Sequence, residues 1–287
     1  MMNTCYSQLR AALSPRYGEA EARAIAFLVM EKGFGVGRTD IYADKVRDFS
    51  EDDCERLRNI CERMEKGEPV QYVLGKADFM GRDWVVTPDV LIPRPETEEL
   101  VERAVGKLNE MYHGGVEHPR VLDAGTGSGC IAVSVALACP WAQVEAWDFS
   151  EAALQVAQRN AARLGAEVKF VQQDLLSLWP NSEPFHLIVS NPPYVCCREK
   201  AEMESHVLDH EPHPALFVPD DDPLVFYRAL AQRAMAGALL PGGWLEVEIN
   251  RAFGRETVAL FESLGLQQTQ VMRDGFDNDR MVEGRRP

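Results

Sequence analysis

Asn191-Pro192-Pro193-Tyr194 follows the apolar stretch His186–Ser190. The two prolines remove backbone donors and stiffen the corner. Its carbonyls turn outward as acceptors, and the Asn191 amide adds one more. Tyr194 supplies an aromatic face. Such a corner suits a planar NH2 group, with two acceptors taking its two hydrogens and a ring packed on its plane. An amide nitrogen is a poor nucleophile because its lone pair is delocalised. Acceptors drawing on both N–H bonds favour a pyramidal nitrogen with a localised pair, and they stabilise positive charge developing there. The plainer alternative is a stiffened loop with a half-buried tyrosine.

Upstream, Val121-Leu-Asp123-Ala-Gly125-Thr126-Gly127-Ser128-Gly129-Cys130 joins a strand directly to a helix. Glycines there allow a tight turn and the close approach of a ligand. The register is G-x-G-x-G. It is neither the dinucleotide fingerprint nor the phosphate loop of nucleoside triphosphate enzymes. A nucleoside-bearing cofactor is expected. Asp148 ends the second strand, where a carboxylate can accept both ribose hydroxyls. It can also form a helix N-cap pair with Ser150. Asp174 and Leu175 end the third strand. Asp174 could accept an exocyclic amine and Leu175 could cover an adenine ring.

Other groups are weaker candidates. His206 and His210 are spaced i, i+4, but Pro212 and Pro214 interrupt the cluster, and no metal is expected. Cys196 and Cys197 lack an evident base and read as loop residues. Arg94, held between two prolines, reads as a surface salt bridge. The seven cysteines include no C-x-x-C pair and suit a reducing compartment.

The elements that must position these residues follow from periodicity. Strands are expected at 120–123, 143–148, 168–172, 186–190 and 244–249. Helices are expected at 129–139, 151–164, 224–239 and 256–264. Alternation of this kind implies an α/β fold, a parallel sheet with helices on both faces and the ligand crevice at the strand C-termini. Residues 5–66 read as helices, and Ser50 with Asp53 forms a capping-box start. Gln71–Gly75 and Trp84–Val86 read as strands around a Gly81-Arg82 turn. Glu96, Glu98 and Glu99 open a helix running to about Met111. The chain divides into an N-terminal helical domain, 1–70, which reads equally as a structural cap or a substrate-docking unit, a hairpin linker, 71–95, and a catalytic domain, 96–287.

The formal charge is −15 over 287 residues. Eleven basic and thirteen acidic residues stand up to Gly75, so the remainder carries −13 of it. A protein gripping a nucleic-acid backbone wants a basic face, so stable nucleic-acid binding is not expected. There is no apolar run of membrane-spanning length and no visible signal peptide. A cytoplasmic monomer is expected.

Five segments together resemble the release factor glutamine N5-methyltransferase family over nearly the whole chain. They are Pro69-Val-Gln-Tyr-Val-Leu-Gly75, Leu91-Ile-Pro-Arg-Pro-Glu-Thr-Glu98, Asp123–Gly129, Asn191–Tyr194 and Glu211-Pro-His-Pro-Ala-Leu216. The resemblance implies a Rossmann-like, seven-stranded S-adenosylmethionine-dependent methyltransferase sheet whose last two strands, 267–273 and 280–284, form an antiparallel hairpin. It implies that Gly125, Thr126, Gly127, Ser128 and Gly129 hold the methionine part of the cofactor, Asp148 its ribose and Leu175 its adenine region. Asn191 would touch cofactor and substrate, and Pro192, Pro193 and Tyr194 the substrate glutamine, with Asn191, Pro192 and Tyr194 carrying catalysis. The substrate would be the glutamine of a Gly-Gly-Gln loop in peptide chain release factors. N-P-P-Y is shared with enzymes that methylate amino groups of nucleic-acid bases, so adenine N6 methylation is the alternative. The chain departs from the family after Leu216, at Phe217–Pro223, and at Asn250–Gly254, which leaves those loops open.

Overall fold

The computed structural model describes residues 4–43, 49–180 and 183–287. Residues 44–48, part of the expected helical stretch, lie outside them. The chain forms two compact units, Met1–Lys76 with Glu204–His210, and Ala77–Met203 with Glu211–Pro287.

The first unit is helical. It comprises α1 (Thr4–Leu28), a π turn at Val29–Gly33, α2 (Arg38–Tyr42), α3 (Glu51–Glu65) and α4 (Val70–Leu74). Gly18, at φ 74°, breaks α1 into two segments. Ser50 and Asp53 close a reciprocal capping box on α3, as their spacing requires. Tyr6, Leu13, Met30, Ile41 and Met64 are fully buried in the core between these helices. The expected strand at 71–75 is instead α4. Val73 N–H donates to the Pro69 carbonyl at 3.0 Å, and Gly75, at φ 67°, closes the helix in the left-handed conformation. Tyr72 and Val73 favour strands as residue types, but here they are buried on a helix. Burial decides over β propensity.

A hairpin of β1 (Lys76–Phe79) and β2 (Arg82–Val85) begins at the boundary. Met80 (φ 51°) and Gly81 (φ 66°) make its two-residue turn, as a tight antiparallel connection demands. The second unit continues through α5 (Glu96–His113), β3 (Arg120–Ala124), α6 (Cys130–Ala138), β4 (Gln143–Asp148), α7 (Glu151–Leu164), β5 (Lys169–Gln172), β6 (Phe185–Ser190) and β7 (Val195–Cys196). After α8 (Ser205–His210), which belongs to the first unit, come β8 (Phe217–Val218), α9 (Val225–Arg233), β9 (Leu239–Glu248), α10 (Gly254–Ser263), β10 (Gln267–Arg273) and β11 (Asp279–Arg285).

The main sheet has seven strands in the order β10-β11-β9-β6-β3-β4-β5. Strands β9, β6, β3, β4 and β5 are parallel, and β11 lies antiparallel between β9 and β10. This is the expected sheet with its terminal hairpin. Both faces are covered, so the central strands are continuously apolar rather than alternating. Val121, Leu187 and Val189 face the layer holding Leu100 and Val135, while Leu122, Ile188 and Val247 face Tyr227, Leu230 and Phe261. The expected helix at 224–239 ends earlier. Gly237, at φ 121°, breaks it, and β9 starts at Leu239, paired with Phe185.

Candidate active site

The sheet order brings the C-terminal ends of β3, β4, β5 and β6 to one edge, where an α/β sheet holds its ligand. A cavity of about 730 Å³ lies there, within the range of small-molecule sites. Gly125, Gly127 and Asp148 line it together with Leu175, Asn191 and Pro193.

Main-chain groups brace the glycine turn. The Trp147 carbonyl accepts Gly125 N–H at 2.8 Å and Thr126 N–H at 2.9 Å. Asp148 takes Gly127 N–H on Oδ2 at 2.8 Å and Ser150 N–H on Oδ1 at 2.9 Å. Burial raises the Asp148 carboxyl pKa, and these N–H groups oppose the rise. Ser150 caps α7 by accepting Ala153 N–H. The expected Asp148–Ser150 pair thus forms at the start of α7, and Asp148 also lines the cavity. Asp123 lies beneath the turn. Its Oδ2 accepts the Thr126 hydroxyl at 2.6 Å and Ala132 N–H at 3.0 Å, and burial pushes its pKa up to about 7.

The three glycines differ. A Cβ on Gly127, at φ 53°, would meet no atom within 4 Å, so it would stand in the cavity. The cradle therefore fits a ligand pressed against the backbone. A Cβ on Gly129 would lie 2.9 Å from Ala157 Cβ on α7. Gly129 does not line the cavity, and α7 closes the space beside its Cα. Asp174 and Leu175 line the cavity, and Asp174 Oδ1 accepts Leu176 N–H at 2.9 Å.

On the wall that follows β6, Asn191 Nδ2 donates to Thr97 Oγ1 at 3.1 Å, and that hydroxyl donates to Glu248 Oε2 at 2.7 Å. Tyr194 donates to the other oxygen of Glu248 at 3.1 Å. Pro192 is buried, and neither it nor Tyr194 lines the cavity; only Asn191 and Pro193 of the four do so. Asn250 Nδ2 donates to the Tyr194 carbonyl at 3.2 Å and to Glu199 at 3.0 Å. The divergent Phe217–Val218 pairs with Val195–Cys196, just beyond the corner. Both divergent segments therefore brace the N-P-P-Y turn.

Arg94 lines the cavity and pairs with Glu211 at 2.6 Å; the Glu211 side chain is 0% exposed. The expected surface salt bridge is thus one with a buried partner. Glu211 Oε2 also accepts Ile92 N–H at 3.3 Å, which ties the I-P-R-P and E-P-H-P segments together. Among the described residues, no group of three or more His, Cys, Asp or Glu side chains could hold a metal ion. Cys196 is buried and Cys197 exposed. No helix of the described residues is long and apolar enough to cross a membrane.

Thr97 and Glu248 escaped sequence reasoning. The available signal was a pair of acids, Glu246 and Glu248, at alternate positions in an apolar strand, where a buried carboxylate needs a partner.

Two family models match the chain: a PrmC N-terminal domain over residues 5–75 and a methyltransferase small domain over residues 107–210. The chain is 43% identical to a release factor glutamine methyltransferase of Bacteroides thetaiotaomicron, covering 99% of this chain and all of that relative. It is 46% identical to the Bordetella pertussis protein of the same name, covering 79% of this chain and 81% of that one. A Thermus thermophilus 16S rRNA methyltransferase, solved with AdoMet and guanosine, shares the fold at a TM-score of 0.52. It is 18% identical, over 74% of this chain and 50% of that one.

Proposed function

The chain belongs to the family of release factor glutamine methyltransferases. From that premise we propose that it methylates the side-chain amide nitrogen (N5) of the glutamine in the Gly-Gly-Gln motif of a peptide chain release factor. One observation carries the reading: a single cavity joins the glycine turn and Asp148 on one wall to Asn191 and Pro193 on the other. A nucleoside-bearing donor and an amide acceptor can therefore meet within it.

S-adenosylmethionine, when bound, supplies a methyl group on a positively charged sulfur. Gly125, Thr126, Gly127 and Ser128 would hold its methionine part, Asp148 its ribose and Leu175 its adenine. Asn191 Oδ1 and a backbone carbonyl of the N-P-P-Y corner accept the two hydrogens of the substrate amide, which localises the nitrogen lone pair. Pro193 shapes the wall beside the substrate. Fixing the nitrogen in line with the methyl removes much of the entropic barrier to displacement. Acceptors already in place stabilise the positive charge that grows on nitrogen. On transfer the nitrogen would gain the methyl as the donor's carbon–sulfur bond broke, S-adenosylhomocysteine would leave as the neutral thioether, and the nitrogen would release one proton to solvent, which leaves a neutral N-methyl amide. The N-terminal helices serve to dock the release factor.

The test is transfer of labelled methyl from S-adenosylmethionine to purified release factor, beside a Gly-Gly-Ala variant of that factor and duplex DNA. Label on the wild-type factor alone, lost in Asn191→Ala, supports the reading. Label on DNA moves the substrate to a base amino group.

A further inference from the structure

We infer that Thr97 and Glu248 are positioning residues that set which end of the Asn191 amide faces the substrate nitrogen, an inference that rests on the methyl-transfer reading above. The three side chains come from distant parts of the sequence. Thr97 lies in the first turn of α5, Asn191 after β6 and Glu248 at the end of β9. Thr97 is 2% exposed and Glu248 1%.

The order of the bonds fixes their direction. An ionised carboxylate only accepts, and a threonine hydroxyl has one proton to give. That proton goes to Glu248 Oε2, at 2.7 Å. Thr97 Oγ1 is then left with lone pairs to offer Asn191, 3.1 Å away. Asn191 must meet it with the NH2 end, so its Oδ1 takes the opposite direction. The reverse orientation would set oxygen against oxygen at Thr97 and present N–H donors to a substrate that brings N–H donors of its own. Glu248 therefore selects, through one hydroxyl, the acceptor face that an amide substrate needs. Its second oxygen takes the Tyr194 hydroxyl, so one buried charge references both ends of the N-P-P-Y turn.

The selection holds while Glu248 is ionised, because a protonated carboxyl could donate to Thr97 and release the order. Burial raises its pKa. The charged and titratable groups set against it are Tyr194, Arg280 on β11, Glu96 on α5, Cys130 on α6 and Tyr227 on α9.

The experiment compares Thr97→Ser, Thr97→Val and Glu248→Gln with the wild type. Three quantities are measured: release-factor methylation across pH, calorimetric S-adenosylmethionine binding, and hydrogen exchange of the Asn191 side-chain amide by 15N NMR. The Asn191 signal is assigned by its loss in Asn191→Ala. Thr97→Val is expected to lower kcat by roughly a hundredfold, the scale of losing one oriented transition-state contact, with cofactor affinity within about twofold. Thr97→Ser, which keeps the hydroxyl, restores kcat. Glu248→Gln flattens the acid limb of the pH profile. Asn191 amide exchange is slow in the wild type and Thr97→Ser and fast in Thr97→Val, whether or not a release factor is methylated. Equal kcat in wild type and Thr97→Val, equal loss in Ser and Val, or unchanged exchange in Val each overturns the inference and leaves the functional reading standing. A wild type that labels no release factor yet shows the expected exchange pattern sinks the functional reading instead.

Discussion

The glycine turn after β3 is held through its own backbone N–H groups, which bond to the end of β4. Trp147 O takes two of its N–H groups, and Asp148 takes a third. The Asn191 corner is held by side chains from α5 and β9, through bonds that span 94, 151 and 54 residues of sequence. One wall of the cavity is made from local backbone geometry and the other from a long-range polar network. A backbone-built wall tolerates side-chain change wherever a conformation is preserved. A network-built wall is weakened at each link, because each buried polar group left without its partner carries a desolvation penalty.

The largest expected effect lies on the network wall. Asn191→Ala should cut methyl transfer by roughly 10²–10³-fold, as for loss of one preorganised contact, with S-adenosylmethionine affinity changed far less. Single-turnover transfer of labelled methyl and calorimetry separate the two. An equal loss in both would erase the contrast between the walls.

The backbone wall can be split by two glycines. Gly127→Asn places a residue tolerant of the left-handed region where a Cβ meets no protein atom. Cofactor affinity should fall about tenfold or more, a lost contact being worth ~1.4 kcal/mol, while the urea midpoint hardly moves. Gly129→Ala drives a Cβ to within 2.9 Å of Ala157 Cβ. It should lose about 2 kcal/mol of stability, from overpacking and a positive φ together. If the two variants gave the same pattern, the division of labour within the turn would be wrong.

A pH effect arises beside the network. Burial pushes Glu246 up to about 8, opposed by Lys107 and assisted by Glu283. Lys107 Nζ lies 2.9 Å from Glu283 and 3.5 Å from Glu246. Folding favours the protonated form of Glu246. Its contribution is complete below the ordinary carboxylate range and is lost as pH rises through about 8. Glu283 is shifted the opposite way, so its own contribution is lost as pH falls through its lowered pKa. Urea denaturation of the wild type should therefore show stability declining towards alkaline pH, with a flatter profile in Glu246→Gln. An unchanged slope in that variant would assign the decline elsewhere.

The smallest effect is expected from Tyr194→Phe, which removes one of the two bonds to Glu248. Stability should fall by about 1 kcal/mol, and cofactor affinity should stay put. A cofactor effect as large as that of Gly127→Asn would mean that the two walls are not independent.

The same contrast explains what was legible in the sequence. The glycine turn, Asp148 and N-P-P-Y are contiguous signatures, so their residue types and order implied both sheet edge and chemistry. Thr97 and Glu248 carry no local signature, since each acquires meaning only when β9 and α5 meet. Gly129 was legible as a glycine but not as a packing glycine, because Ala157 lies a whole βα unit away. The α4 segment failed for a related reason. Its β-branched and aromatic residues favour a strand locally, and only burial in the helical unit settles the matter. The five parallel strands were visible because both faces of the sheet are covered, which writes apolar runs into the chain, while the terminal hairpin, with its mostly exposed strand Gln267–Arg273, followed only from the family resemblance.

The bracing of the glycine turn has a kinetic consequence. Its conformation is fixed by Trp147 and Asp148 from within the protein, so the chain entropy of ordering it is lost at folding rather than at ligand arrival. Donor capture should then need little loop rearrangement, and its association rate should depend weakly on anything but diffusion and charge.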